Sequence, residues 1–495
     1  MKRARGTRAA AAAAALVALV LAAGCGSSKA ASPASSGKAS AAGRCDGTLG
    51  LEVVPLSREL RKTLALPKDL RGAVVGEVLP GGPAAAAGIR PNDVVETIGD
   101  ARIGNDCDFD AAAYNRPCQP VRVLVRRDAG PVELTLVPVD QGAFLEKSCR
   151  GGASSACFRQ GWLLWRTDGR RALELYDTAC RAGSAQACAY QGLRLMDDAD
   201  RGSEAVAALE RSCELGSGAG CAHLGFLYAT GKLVPRDDRR ATPLYVRGCD
   251  LGDARGCYNV GLMSEEGRGT AADLSRAAAS YDEACESGSS TACTNLGFLY
   301  EKGRGVKQDR GRAVALYQRG CDGSSCQPSN LGGCVNVGRA YRDAIGVEKD
   351  AARAASIFEK ACDRQPDPDD VHSETNNARA CSLLGGLYLA GEGVEFDVTR
   401  GRELSELGCE LGDSFGCYNA AVVYTNGSGV EADAAKAASL LDRACNGGDG
   451  EGCYDLGVAY EKGTGVARDR KRAAELSRRA CELGFEKACP KKKKR

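Results

Sequence analysis

The chain has 495 residues, with 66 Lys or Arg against 64 Asp or Glu and a formal charge of +2. This near balance gives no global pull towards nucleic acid or anionic lipid, and 44% hydrophobic with 26% charged residues excludes both a multi-span membrane protein and a largely disordered one. With only His223 and His372, mechanisms built on several imidazoles are excluded, whereas 25 cysteines and 63 glycines call for an explanation.

Lys2, Arg3, Arg5 and Arg8 precede an uncharged Ala/Leu/Val run from Ala9 to Ala23. The run is short for a membrane span and has the layout of an export signal, to be read as processed and not as fold. It ends in Leu21-Ala22-Ala23-Gly24-Cys25, which resembles the lipobox of bacterial lipoproteins. The resemblance implies a signal peptide over 1–24 and a diacylated Cys25 as the mature N-terminus. Because Gly26 follows where an inner-membrane protein carries aspartate, it also implies anchoring to the outer membrane, on its periplasmic or surface face. A plain secretory peptide with an incidental cysteine is the alternative. Residues 25–44 are, after Cys25, mostly Ser, Ala, Gly and Lys with one Pro and no apolar period, and are expected to form a flexible tether.

The first folded unit spans 45–140. Strand-like alternation is expected in Leu51–Val54, Ala73–Leu79, Val94–Ile98, Val121–Val125 and Val132–Val137, and Gly81-Gly82-Pro83 before Ala84–Ala87 and Gly88 predicts a turn, a short helix and a stop. This order resembles a bacterial PDZ domain of the circularly permuted type, carried by Leu49-Gly50-Leu51, Gly72-Ala73-Val74-Val75, Val78-Leu79-Pro80-Gly81-Gly82-Pro83 and Ala87-Gly88-Ile89-Arg90-Pro91-Asn92-Asp93-Val94-Val95. The resemblance implies that an extended peptide adds to a sheet edge while backbone N–H groups hold its terminal carboxylate. Leu49, Gly50 and Leu51 match that loop, Leu51 and Val53 face the groove, and a helix near Asp108–Tyr114 forms the opposite wall. Cys107 and Cys118 flank this wall, and a disulfide between them, or from either to Cys45, would stiffen or narrow the groove. A docking module that binds no free terminus is the alternative. PDZ domains of this type accompany serine proteases, yet neither histidine lies in a protease-like context and no Gly-x-Ser-Gly-Gly segment occurs.

From 141 to 489 the chain repeats. Cysteines recur eight apart as Cys149/Cys157, Cys180/Cys188, Cys213/Cys221, Cys249/Cys257, Cys285/Cys293, Cys409/Cys417, Cys445/Cys453 and Cys481/Cys489, with Cys321/Cys334 and Cys362/Cys381 as the same pair carrying insertions. In the clearest unit, Leu296, Leu299 and Tyr300 form one helical stripe and Gly297 permits close approach of a neighbour. Gly303 and Gly305 supply the turn, Asp309 an N-cap, and Ala313, Leu316 and Tyr317 the inward face of a second helix. Nine such hairpins, beginning near Cys157, Cys188, Cys221, Cys257, Cys293, Cys334, Cys381, Cys417 and Cys453, would stack into a solenoid.

The pattern resembles the Sel-one-like branch of tetratricopeptide-type repeats, and the paired cysteines narrow it to exported cysteine-rich members. The first cysteine of each pair ends a second helix and the next opens the following first helix, so the intervening turn can bring them side by side in an oxidising compartment. Zinc is the competitor, but no Cys-x-x-Cys occurs and histidine is scarce. Cys45 and Cys326 stay unassigned. The expected fold class is therefore α+β multidomain: a small β-rich PDZ-like domain, then an all-α right-handed solenoid stapled by disulfides, then a basic tail over 490–495.

These features point to a membrane-tethered scaffold or adaptor of the bacterial envelope that binds protein or peptide partners, with no nucleic acid, no cofactor and no catalytic residues. A β-lactamase-like or penicillin-binding hydrolase is the alternative, because some cysteine-rich relatives carry that label. Ser35-Ser36-Gly37-Lys38 satisfies Ser-x-x-Lys, yet it lies in the tether without Ser-Asp-Asn or Lys-Thr-Gly. A purely structural envelope role is a third reading. The basic tail reads as a solvated end or a contact to anionic groups, and Trp162 with Trp165 as packing at the PDZ–solenoid junction or an exposed anchor.

Overall fold

Alternating apolar residues need a shared face to bury, and in the N-terminal unit that face is one side of an antiparallel sheet. The computed structural model describes residues 47–56, 58–67, 70–113, 119–127, 130–323, 330–364 and 373–489. Strands β1 (Gly47–Thr48), β2 (Leu51–Pro55), β3 (Ala73–Val78), β4 (Val94–Ile98), β5 (Ala101–Arg102), β6 (Val121–Arg127), β7 (Gly130–Leu136) and β8 (Val139–Asp140) are interleaved with helices α1 (Arg58–Thr63), α2 (Pro83–Ala86) and α3 (Asp106–Ala113). The main sheet runs β2-β3-β4-β6-β7, with β5 paired to β4, while β1 pairs with β8. Leu51, Val53, Val75, Val95, Ile98, Phe109, Val123, Val125 and Leu136 fill one core between the sheet and α3. All five expected strands are present, shifted at their ends by up to two residues. The groove helix begins two residues earlier than expected, and its end lies next to the undescribed 114–118.

Helix α4 (Gln141–Arg150) leads into nine antiparallel hairpins among the described residues: α5 (Ser154–Leu164) with α6 (Gly169–Arg181), α7 (Ala185–Leu195) with α8 (Gly202–Glu214), α9 (Gly218–Thr230) with α10 (Asp238–Asp250), α11 (Ala254–Glu266) with α12 (Leu274–Glu286), α13 (Ser290–Lys302) with α14 (Arg310–Asp322), α15 (Leu331–Asp343) with α16 (Ala351–Cys362), α17 (Ser373–Ala390) with α18 (Val398–Glu410), α19 (Ser414–Asn426) with α20 (Ala434–Asn446), and α21 (Gly450–Lys462) with α22 (Arg470–Glu482). Each second helix but α8 starts on an aspartate whose carboxylate accepts backbone N–H bonds, as Asp309 does from Arg312 N. Such a cap satisfies donors that have no intrahelical partner.

In five of the described hairpins the two helices meet where a glycine faces an aromatic ring. A Cβ on Gly297 would lie 2.7 Å from the ring of Tyr317, and one on Gly225 would lie 2.9 Å from that of Tyr245. Both tyrosine side chains are buried, at 1% and 2% exposure. First helices also touch the first helix of the next hairpin (α7 with α9, α9 with α11, α13 with α15, α15 with α17, α17 with α19), whereas second helices make their main contacts with first helices. First helices therefore line the inner face of the stack.

Among the described residues, ten disulfides join each second helix, or α4, to the segment that follows it: Cys149–Cys157, Cys180–Cys188, Cys213–Cys221, Cys249–Cys257, Cys285–Cys293, Cys321–Cys334, Cys362–Cys381, Cys409–Cys417, Cys445–Cys453 and Cys481–Cys489. Their Cα–Cα separations of 4.4–4.9 Å suit such bonds. Cys249, Cys257 and Glu283 approach one another closely, but both sulfurs are engaged in the disulfide and offer no thiolate to a metal. Cys25, Cys45, Cys118, Cys326, His372 and the tail fall outside the described residues, as does the side chain of Cys107, so the expected Cys107–Cys118 bridge lies outside them too. Among the described residues no helix is long and apolar enough to cross a membrane.

Candidate peptide groove and its seat on the solenoid

The Leu49-Gly50-Leu51 turn needs a left-handed residue, and Gly50 supplies it with φ +70°. The turn is pinned on both sides: Gly50 N–H donates to the Thr48 hydroxyl (3.3 Å), the Leu49 carbonyl accepts from Ala84 N and the Gly50 carbonyl from Leu79 N (2.9 Å each). A Cβ at position 50 would lie 3.2 Å from Pro83 Cδ and 3.5 Å from Phe144 Cε1. Any side chain here is therefore a folding lesion before it is a binding one.

Strand β2 leaves this turn as the terminal strand of the described sheet, and α3 packs beside it. Leu51 and Val53 share one face and are buried with Phe109 and Ala113 of α3, all at 6% exposure or less. The two walls of the expected groove thus meet directly, while Val54 on the opposite face is 40% exposed.

The PDZ-like unit does not stand apart from the repeats. Leu79, Leu145 of α4 and Ala156 of α5 form a small buried cluster with Phe144 beside it, and Arg71 forms an ion pair with Glu286 at the end of α12. Two acids of α3 interact electrostatically with the solenoid: Asp110 with Arg159 of α5 and Tyr190 of α7, and Asp106 with Arg255 of α11. Burial raises the Asp110 carboxyl against the opposing pull of Arg159, and burial also raises the Tyr190 hydroxyl, with Asp110 adding to it. Arg159 stacks on Trp162 and Arg194 on Trp165, each 4.5 Å from the ring centre. The tryptophans thus stack with arginines of the first two hairpins, while the apolar junction is made by Leu79, Leu145 and Ala156.

Beneath this seat His223 is buried and takes a hydrogen bond on Nε2 from Arg255 Nη1 (2.9 Å), whose Nη2 donates to Asp253 (3.0 Å). Arginine can only donate, so the imidazole is neutral with its proton on Nδ1. Burial first, then the Arg255 charge, pushes its pKa down to about 3. An unfolded chain binds this proton below 6.5 and the folded chain only near 3, so His223 lowers stability as pH falls through that window. The expected loss at pH 5 is about 2 kcal/mol. Urea unfolding of wild type and His223→Gln between pH 7 and 4.5 measures it: the wild type loses stability more steeply, and parallel curves refute the assignment.

Further along the inner face, α15, α17 and α19 border an open groove of about 500 Å³ lined by Arg342, Leu383, Leu387, Phe415, Asn419 and Val422. Arg379 covers Phe415 at 5.0 Å and pairs with Asp413 at 3.2 Å. None of Arg159, Tyr190, Arg255, Asp106 or Asp110 is marked by a motif. One register signal exists: Arg159, Tyr190 and His223 each follow the first-helix cysteine by two positions.

The model of the Sel1 repeat family matches 156–184, 218–253, 254–289, 290–325, 332–366, 378–413, 414–449 and 450–485, more than half of the chain. The chain is a Sel1 repeat protein. The stretch 185–217, where α7 and α8 build the second hairpin, falls between matched segments, and a PDZ domain model matches 47–137 of this Sel1 repeat protein. Among solved structures it is similar to a protective antigen of uropathogenic Escherichia coli with an SLR fold (22% identity, 70% of this chain and 80% of that one, TM-score 0.41). It is also similar to cysteine-rich protein B of Helicobacter pylori (30% identity, 28% and 93%, TM-score 0.23). A probable protease of Enterococcus faecalis, eep, is 36% identical over 73 residues, 15% of this chain and 17% of that protein. The Sel1 repeat protein spans only 17–18% of the length of the curated relatives it matches.

Proposed function

We propose that this protein is a binding scaffold of the bacterial envelope, exported and held to the outer membrane by a lipid on Cys25, that captures extended or C-terminal peptide segments at β2 and protein partners on the inner face of its solenoid. Both matched families fit protein–protein interaction modules. The observation that carries the peptide reading is the arrangement of a glycine turn, a terminal strand and a facing helix, β2 beside α3. Main-chain pairing along such a strand provides affinity, and an apolar pocket between strand and helix selects the terminal side chain. With Leu51, Val53, Phe109 and Ala113 as its walls, that pocket suits an aliphatic residue.

The test is a fluorescence titration of the full mature chain with decapeptides ending in free Ala, Val, Leu or Phe, each beside its C-terminal amide. Binding of the Val or Leu acid, weakened at least tenfold by amidation, is expected. Equal binding of acid and amide removes the carboxylate loop from the account. The anchor is tested separately: Cys25→Ser should release the protein from the membrane fraction and abolish incorporation of a palmitate analogue.

A further inference from the structure

We propose that the groove bordered by α15, α17 and α19 is a socket for a Phe or Leu side chain of a partner protein, with carboxylates next to it in the partner's sequence. The inference rests on the reading of the inner face as a protein-binding surface and adds the site on that face and the chemistry of the partner. Five residues after its cysteine, the first helix of every other hairpin carries a side chain, from Trp162 through Phe226 and Phe298 to Val422, whereas α17 has Gly386. Two residues after the cysteine, where Asn259, Asn295, Asn336 and Asn419 stand, α17 has Leu383. One change removes bulk from the inner face and the other exchanges an amide for an apolar floor. Both positions line the groove, together with Phe415 and Val422. A Cβ on Gly386 would lie 3.4 Å from Asn419 Nδ2 and 3.6 Å from Phe415 Cε1, ordinary contact distances. Its neighbour Gly385 differs, because a Cβ there would lie 2.6 Å from Ser405 Oγ and 2.8 Å from the Gly401 carbonyl. Packing therefore demands glycine at 385 and not at 386, where the missing side chain leaves room for one from outside. Val422 is 36% exposed beside that gap, so an inserted Phe or Leu gains an apolar contact that the fold leaves open.

The charges around the socket select acidic neighbours for that side chain. Each nearby carboxylate already has a cation: Asp343 has Arg342, Glu392 has Lys349 and Asp413 has Arg379. In the last pair the acid is turned inwards, with 9% of its side chain exposed, and also accepts from Gly416 N at 3.2 Å as the cap of α19. The Arg379 side chain is 40% exposed and lies over Phe415, and only its Nη1 bonds to Asp413, so its other donors face an arriving partner. Arg339 stands one hairpin earlier at the register of Gly386 and, among the described residues, has no ion pair; its Nη1 donates to Asn336 at 3.4 Å. Guanidinium groups with donors to spare take carboxylates in charge-assisted hydrogen bonds, which fixes the flanking residues of the partner as Asp or Glu.

The experiment titrates the full mature chain with fluorescent Gly/Ser decapeptides blocked at both ends, so that no free terminus is offered to β2. The probes carry Asp-Phe-Asp or Asp-Leu-Asp at the centre, with Asp-Ala-Asp and Asn-Phe-Asn as controls. Wild type is expected to bind the first two, the Ala control about tenfold more weakly and the Asn control about fivefold more weakly. Gly386→Phe fills the socket with the chain's own ring and is expected to weaken Asp-Phe-Asp about tenfold, and Arg379→Gln to bring it down to the level of Asn-Phe-Asn. Thermal unfolding checks that both variants fold, and hydrogen exchange of the wild-type complex should show protection in α17 and α19. Binding that ignores Gly386→Phe, equal binding of the Phe and Ala probes, or no binding of either acidic probe overturns the socket. Protection on other first helices, such as α9 and α11, overturns the socket while leaving the inner-face reading intact. Protection confined to the PDZ-like unit, with none on any first helix, counts against the inner-face reading as well, and the socket falls with it.

Discussion

Complete reduction of the ten disulfides under otherwise native conditions is expected to unfold most of the repeat domain. In the chain-entropy account a closed loop of about eight residues is worth about 2.5 kcal/mol, and the longer loops of Cys321–Cys334 and Cys362–Cys381 about 3 kcal/mol. Ten such terms exceed the 5–15 kcal/mol by which domains are ordinarily stable. A solenoid has no second source of long-range closure, because each hairpin touches only its neighbours and its stability is close to a sum of hairpin and interface terms. Several first helices also carry weak intrinsic helicity, with glycine at three of the thirteen positions of α9 (Gly218, Gly220 and Gly225). Far-UV circular dichroism during titration with a phosphine reductant should show a loss of most helical signal at 25 °C. Replacing one pair, Cys249→Ala with Cys257→Ala, should lower the unfolding free energy by about 2–3 kcal/mol. Retention of full helicity after complete reduction would refute the view that the bridges hold the stack together.

The second large effect is expected at Tyr317. Its ring is buried between the two helices of the fifth hairpin, against Gly297, and its hydroxyl donates to Glu301 Oε2 at 2.9 Å. Tyr317→Ala removes the ring from a site whose backbone cannot collapse into the space, at a cost of about 3–5 kcal/mol. Tyr317→Phe keeps the packing and loses one hydrogen bond, about 1 kcal/mol. Gly297→Ala approaches the problem from the other side, since its methyl would lie 2.7 Å from the ring and 3.1 Å from the Ala313 carbonyl. Overpacking of that kind costs about 1–3 kcal/mol. Denaturant unfolding should rank the three variants in falling severity as Tyr317→Ala, Gly297→Ala and Tyr317→Phe. A Tyr317→Phe variant as damaged as Tyr317→Ala would mean that the hydroxyl, not the ring, holds the hairpin.

The repeats are legible because most hairpins write the same physical requirements into the same register. A glycine stands where helices cross, an aspartate caps the second helix, left-handed glycines close the turn, and a cysteine stands at each end of the link. Gly297, Gly303, Gly305, Asp309 and Tyr317 all take the places their spacing predicts. Helix α4 carries the marks of a second helix, the Asp140 cap and Cys149, but follows β8 and no first helix, and buries Leu145 on Leu79. Strands β1 and β8 are two residues long, too short for a period to show.

The candidate site is legible only in part. Gly50 turns the chain with φ +70° and Leu51 opens β2, but sequence cannot show that the groove walls meet. Nor can it show that Asp106 and Asp110, which read as ordinary solvated acids at a helix start, interact electrostatically with arginines roughly 150 and 50 residues away along the chain. That depends on how one domain seats on another, and no local pattern encodes it.

The central claim is that a peptide binds between β2 and α3. Hydrogen exchange on the full mature chain, with and without the free Val decapeptide, tests it most directly. Protection concentrated in 51–55 and 106–113 is the predicted result. Protection confined to α15, α17 and α19, with the PDZ-like unit unchanged, would contradict the claim and move recognition to the inner face of the solenoid.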